Sequence, residues 1–165
     1  MTQPSAASDG SRIRQRLAEL GRELPSVAAP VAAYVPAIRT GDLVLTSGQL
    51  PFVDGALPVT GKVGDQVTAE QAADLAAISC LNALAAIEDL VGSLDQVVQV
   101  VKLTGFVASD PSFTGQPAVI NGASDLLGEL FGERGAHARS AVGVAVLPMD
   151  APVELELQVQ IQRTV

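Results

Sequence analysis

From Val153 to Gln162 the chain reads VELELQVQIQ, ten positions in which apolar and polar residues alternate without interruption. Side chains of an extended backbone point to opposite faces in turn, so the segment fits a strand with one face in a core and the other outside it. Val153, Leu155, Leu157, Val159 and Ile161 form the core face, which helices are expected to cover, and Glu154, Glu156, Gln158, Gln160 and Gln162 form the other. Arg139 to Leu147 reads as a second strand, joined to the first through Pro148-Met149-Asp150-Ala151-Pro152. The same alternation assigns Val142, Val144 and Val146 to the core and Arg139, Ala141, Gly143 and Ala145 to the glutamine face. A polar face with small residues beside it admits another backbone, so it is expected to wall an oligomer built around a central axis. In a hairpin centred near Asp150, Glu154 lies beside the turn and Arg139 at the far end. The two then meet only across a subunit interface.

Punctuation and period supply the other elements. Ile13, Leu17 and Leu20 give a short helical stripe ended by Gly21, preceded by ten small and polar residues expected to be disordered. Residues 1–30 are thus read as a flexible start with an appended helix, and 31–165 as a single domain. Pro25 to Pro36 reads as an extended connection, and Leu43 to Thr46 as a strand entering a Ser47-Gly48 turn. Thr68 and Gln71 have the spacing of a capping box, and Leu75, Ile78, Leu81, Leu84, Ile87 and Val91 then repeat at helical spacing up to Gly92. The β-branched run from Val97 to Val107 predicts a strand covered on both faces, and Pro117 to Phe131 a helix closed by Gly132. This is an α+β pattern, with two main helices on one face of a sheet.

Composition narrows the function. A chain of 165 residues, 48% hydrophobic and 17% charged, can build one core. Its net charge of −8 opposes a phosphate backbone, which argues against nucleic acid as a partner. The single Cys80 lies in the helical pattern and reads as core, and the single His137 excludes a multi-imidazole metal site. Neither metal nor cofactor is expected, since no glycine-rich phosphate loop follows a strand. A Ser47, His137 and Asp triad has nothing in the spacing to support it. The opening lacks a basic segment followed by an apolar one, and no apolar run is long enough for a bilayer, so the expected compartment is the cytoplasm, without a membrane partner.

The candidate chemistry rests on a few residues, each open to two readings from the residues alone. Arg139 is a structural ion-pair residue or a bidentate clamp for a carboxylate. Glu154 is a solvated strand residue or a base that orients water. Ser47 and Gly48 close a turn or seat an anion on backbone N–H groups. Tyr34, the only tyrosine, is a half-buried ring or part of a cleft, and Asn121 bonds locally or points into that cleft.

Taken together, HARSAVGVAVLPMDAPVELE at 137–156, Tyr34, Ser47-Gly48-Gln49 and Asn121 resemble the motifs of the RidA/YjgF/YER057c/UK114 family, once called endoribonuclease L-PSP. The resemblance runs from about Tyr34 to Gln162. It implies a chorismate-mutase-like fold, a homotrimer with ligand clefts between protomers, and hydrolysis of reactive 2-imino and enamino acids to 2-oxo acids and ammonia. On that resemblance Arg139, Glu154 and Tyr34 are catalytic, and Ser47, Gly48, Asn121 and Arg139 bind substrate. The alternatives are a trimer that binds small carboxylates without turnover and, against the acidic charge, an endoribonuclease. The chain departs from the family pattern at Ala141, where many members have Cys, and at Gly143, where the archetype has an acid. Its N-terminal helix and the stretch from Phe52 to Val67 exceed the short members and mark a long-form relative.

Overall fold

A reciprocal cap starts the longest helix: the Thr68 hydroxyl accepts from the Gln71 amide at 3.1 Å, and the Gln71 side chain accepts from the Thr68 amide at 3.0 Å. The computed structural model describes residues 11–27 and 33–163; the polar residues 1–10 and the middle of the Pro25–Pro36 connection lie outside them. In chain order the elements are α1 (Arg12–Glu19), β1 (Ala37–Thr40), β2 (Leu43–Thr46), α2 (Ala69–Val91), β3 (Val97–Ala108), α3 (Gln116–Phe131), β4 (Ala138–Val144) and β5 (Val153–Ile161). The strands form one mixed sheet in the order β1-β2-β5-β3-β4, in which β3 and β4 run parallel and the other pairs antiparallel.

The alternation of β5 is borne out, since each of its five apolar residues is at most 1% exposed. They lie under α2, while α3 packs on β3 and β4, and the close approach of the two helices depends on a missing side chain: a Cβ on Gly122 would lie 1.9 Å from the Ala73 carbonyl oxygen. The helix near the start also enters this core through Ile13 and Leu17, each 2% exposed. Burying such side chains contributes about 1.5–3 kcal/mol apiece. Asp95 caps α1 from outside the helix, accepting from the Arg12 amide at 2.9 Å, the Ile13 amide at 3.0 Å and the Ser11 hydroxyl at 3.2 Å.

Three expectations are corrected. β4 and β5 do not form a hairpin, because β3 lies between them. The α3 crossover returns the chain parallel to β3, as a β-α-β connection does. The link after β4 then passes over the end of β3, where Pro152 accepts from the Ala108 amide at 2.9 Å, and β5 enters between β2 and β3. A five-residue link flanked by prolines looks like a hairpin loop in sequence, and only the long-range pairing distinguishes the two.

The faces of β4 are also the reverse of those expected. Arg139, Ala141 and Gly143 oppose Leu103, Gly105 and Val107, so they face the helices. Val142 is 44% exposed and Val146 is 68% exposed. Clearance explains the inversion: a Cβ on Gly105 would lie 2.4 Å from Ile120 Cδ1, and one on Gly143 would lie 2.8 Å from Gln116 Nε2. Small residues stand where α3 presses on the sheet, and the valines turn away.

Finally, β3 is covered by helices on one face only, and Lys102, Thr104 and Phe106 on the other are half-buried. Its continuous apolar run comes from two register shifts against β5, at Val97/Gln99 and Val100/Lys102. An extra residue at each shift breaks the alternation that a regular strand would show.

The stretch between Phe52 and Val67 is ordered. Val53 and Ala56 exchange backbone hydrogen bonds around Asp54-Gly55, both of which have positive φ. Val63 and Val67 are fully buried against the sheet end. Among the described residues no helix is long and apolar enough to cross a membrane.

Candidate active site

The expected residues fall into two groups on opposite faces of the sheet. The first is built where β2 runs out. Gln49 and Leu155 exchange backbone hydrogen bonds at 2.8 and 3.1 Å, which holds the Ser47-Gly48-Gln49 turn against β5. This brings Gly48 against the neighbouring Glu154: a Cβ at Gly48 would lie 2.0 Å from Glu154 Oε1, so only glycine leaves room for the carboxylate. Burial pushes the Glu154 carboxyl above its ordinary pKa, and the nearby charge of Glu156 adds to the shift. No described residue donates a hydrogen bond to it.

Ser47 ties this turn to the segment that carries Tyr34. Its amide donates to the Pro36 carbonyl at 2.8 Å and its hydroxyl to the Val35 carbonyl at 2.5 Å. The single hydroxyl proton is thereby engaged, which leaves Ser47 an acceptor. The Gly48 N–H, by contrast, has no acceptor among the described residues. Tyr34 is 58% exposed and borders a cavity of about 630 Å³ with Gln49, Leu50, Phe52 and Asn82. Glu154 does not line that cavity.

The second group lies where β4 meets α3. Arg139 Nη1 donates to Asn121 Oδ1 at 2.7 Å and to Ser124 Oγ at 3.2 Å. Ser124 Oγ lies 2.9 Å from His137 Nε2, and His137 Nδ1 lies 2.6 Å from the Gly135 carbonyl oxygen. Sequence reading found Arg139 and Asn121 but missed Ser124 and any role for His137 beside them. Simple spacing carried the signal, since positions i and i+2 share a face of extended chain, and i and i+3 share a face of a helix.

Within the chain the two groups do not meet. Arg139 opposes Leu103 and Glu154 opposes Phe106, on strands either side of β3. Three residues along and two strand spacings across amount to roughly 14 Å, with the side chains on opposite faces. The separation expected from a hairpin therefore holds, for a different topological reason. Ser47 and His137 bond to other partners and form no triad. Cys80 is fully buried, and desolvation pushes its thiol up to about 12, so it is core.

Residues 14–159 match the family described as "YjgF/chorismate_mutase-like, putative endoribonuclease". Among relatives, Protein TCP17 of Trypanosoma cruzi is 43% identical over 91% of this chain and 94% of its own length. The 2-iminobutanoate/2-iminopropanoate deaminase of Salmonella typhimurium is 33% identical over 78% of this chain and 87% of its own. Among solved structures, the protein Atu1372 of Agrobacterium tumefaciens superposes with a TM-score of 0.86 at 45% identity, covering 92% of this chain and 93% of that one. E. coli TdcF with bound serine superposes with a TM-score of 0.55 at 26% identity, covering 86% and 97%. Motifs, fold and these matches agree, and the chain belongs to the YjgF/chorismate mutase-like family.

Proposed function

We propose that this protein is a cofactor-independent imine and enamine deaminase, active as a homotrimer in which each cleft joins the Arg139 group of one protomer to the Glu154 group of its neighbour. The observation that carries the reading is the complementarity of two incomplete groups. One holds a guanidinium with donors to spare, and the other holds an acid of raised proton affinity with no donor of its own. The helix-free face of the sheet, where Glu154, Phe106 and the exposed Val142 stand in one row, is the surface that neighbouring protomers would cover. The deaminase named among the relatives and the serine held by TdcF support a small 2-amino-acid-like ligand with a carboxylate.

In this mechanism Arg139 grips the substrate carboxylate through a charge-assisted fork, and the Gly48 N–H helps to seat it. Tyr34 and Asn121 close the cleft. Glu154 takes a proton from water as the water oxygen bonds to the imine carbon, and the C=N π electrons pass to nitrogen. Returning that proton to nitrogen completes a carbinolamine; Glu154 then moves the carbinolamine's hydroxyl proton to nitrogen, C=O forms as the C–N bond breaks, and imine plus water gives a 2-oxo acid plus ammonia. The raised pKa of Glu154 suits it to accept and return a proton.

Mixing the purified chain with a pyridoxal-phosphate-dependent dehydratase and serine tests this directly. Pyruvate release should accelerate over the spontaneous rate, and light scattering should give a trimer. An unchanged rate, or a monomer at micromolar concentration, would overturn the reading. The serine bound to TdcF favours one alternative, a carboxylate binder without turnover, which would bind pyruvate and leave the release rate unaltered. Endoribonuclease activity is opposed by the net charge of −8.

A further inference from the structure

We infer that Ser124 and His137 are positioning residues that fix the Arg139 guanidinium so that its Nε–Nη2 edge receives the substrate carboxylate. The inference rests on the reading of Arg139 as a carboxylate clamp and adds to it which edge of the side chain does the gripping and what holds that edge in place.

The hydrogens assign themselves in sequence. A carbonyl oxygen only accepts, so His137 Nδ1, 2.6 Å from the Gly135 carbonyl, carries the proton. In the neutral ring Nε2 is then an acceptor, and Ser124, 2.9 Å away, donates its hydroxyl hydrogen to it. The lone pairs of Ser124 Oγ are left for Arg139 Nη1 at 3.2 Å, while Asn121 Oδ1 takes the other Nη1 hydrogen at 2.7 Å. Both hydrogens of Nη1 are thereby engaged. The Nε and Nη2 hydrogens have no acceptor among the described residues, and Nε–Nη2 is an edge that matches the two oxygens of a carboxylate.

Backbone packing keeps the chain of bonds together. Gly135 is buried, and a Cβ there would lie 2.4 Å from the Leu127 carbonyl oxygen. Glycine thus lets the loop before β4 lie on α3, which carries the Gly135 carbonyl and His137 to Ser124. Asn121 and Ser124 are one helical turn apart and brace the same nitrogen. A long side chain with many rotamers is held in one orientation before any ligand arrives, which removes an ordering cost from binding.

The test uses the full chain, pyruvate as the probe, and the fact that His137 is the only histidine. Nitrogen-15 spectra of the wild type should show an imidazole protonated at Nδ1, whose signals move when pyruvate is added. Ser124→Ala should weaken pyruvate binding and raise KM by roughly threefold to tenfold with kcat little changed, and the imidazole should no longer respond to pyruvate. Ser124→Thr, which keeps the hydroxyl, should restore both readouts, whereas a merely structural role would alter thermal stability and leave affinity alone. Wild-type protein that binds no pyruvate would overturn the clamp reading itself. Wild-type affinity in Ser124→Ala, with affinity lost in Arg139→Lys, would overturn the positioning role while leaving the clamp intact.

Discussion

Arg139 and Glu154 occupy the same small sheet and differ in how their surroundings treat charge. Arg139 is braced by Asn121 and Ser124, close to it in sequence, and its hydrogen bonds are formed before any ligand is present. Glu154 faces Gly48, far upstream, and receives burial and a neighbouring negative charge instead of donors. A braced cation suits gripping, because holding a ligand requires one fixed geometry. An unpartnered acid of raised proton affinity suits proton transfer, because a carboxylate tied down by donors would be a weaker base.

The contrast is broken most severely at the acid. Glu154→Gln keeps the shape and removes the base, so imine hydrolysis should fall by about a hundredfold or more while pyruvate affinity measured by calorimetry stays near wild type. Equal hydrolysis rates in the two proteins would remove Glu154 from the mechanism. Gly48→Ala asks whether the carboxylate must stand where it does. The added methyl group meets Glu154 Oε1, and displacement of about 1 Å at a reacting group costs up to roughly a hundredfold in rate, so activity should drop with little change in melting temperature. At the cation, Arg139→Lys retains charge and loses the fork. Pyruvate binding should weaken by roughly tenfold with stability little altered; lowered stability at unchanged affinity would make Arg139 a structural residue.

The smallest effect concerns pH and separates two acids of opposite sign. Glu154 has a raised pKa when folded, so between the ordinary carboxylate value and the raised one the folded chain holds a proton that the unfolded chain has lost. Its contribution to stability therefore falls as pH rises through that window, and Glu154→Gln should remove the slope. Burial raises Asp95, but the Ile13 and Arg12 amides and the Ser11 hydroxyl outweigh it and bring the net value below the usual range. Its contribution is present above the ordinary carboxylate pKa and lost as pH falls through the lowered value, and Asp95→Asn should remove it. Thermal melts of the three proteins across acidic pH should show slopes of opposite sign.

Much of this was legible along the chain. The apolar set of β5, the Thr68–Gln71 cap and the main helices depend on contacts between near neighbours, which period and spacing encode. Arg139, Asn121, Glu154, Ser47, Gly48 and Tyr34 stand out as candidates through motifs that resemble the family's, and Ser124 and His137 lie within simple spacing rules beside them. Alternation alone divided β4 into two faces without saying which was inward, and hydrophobicity pointed to the wrong one. Only the tertiary structure decided that Arg139 looks toward α3, that β3 lies between β4 and β5, and that Gly48 leaves room for Glu154. The physical reason is steric. Which face of an edge strand is inward depends on how near a helix must come, and where two distant segments pair depends on the path of the crossover, so neither is written in the residues of one segment.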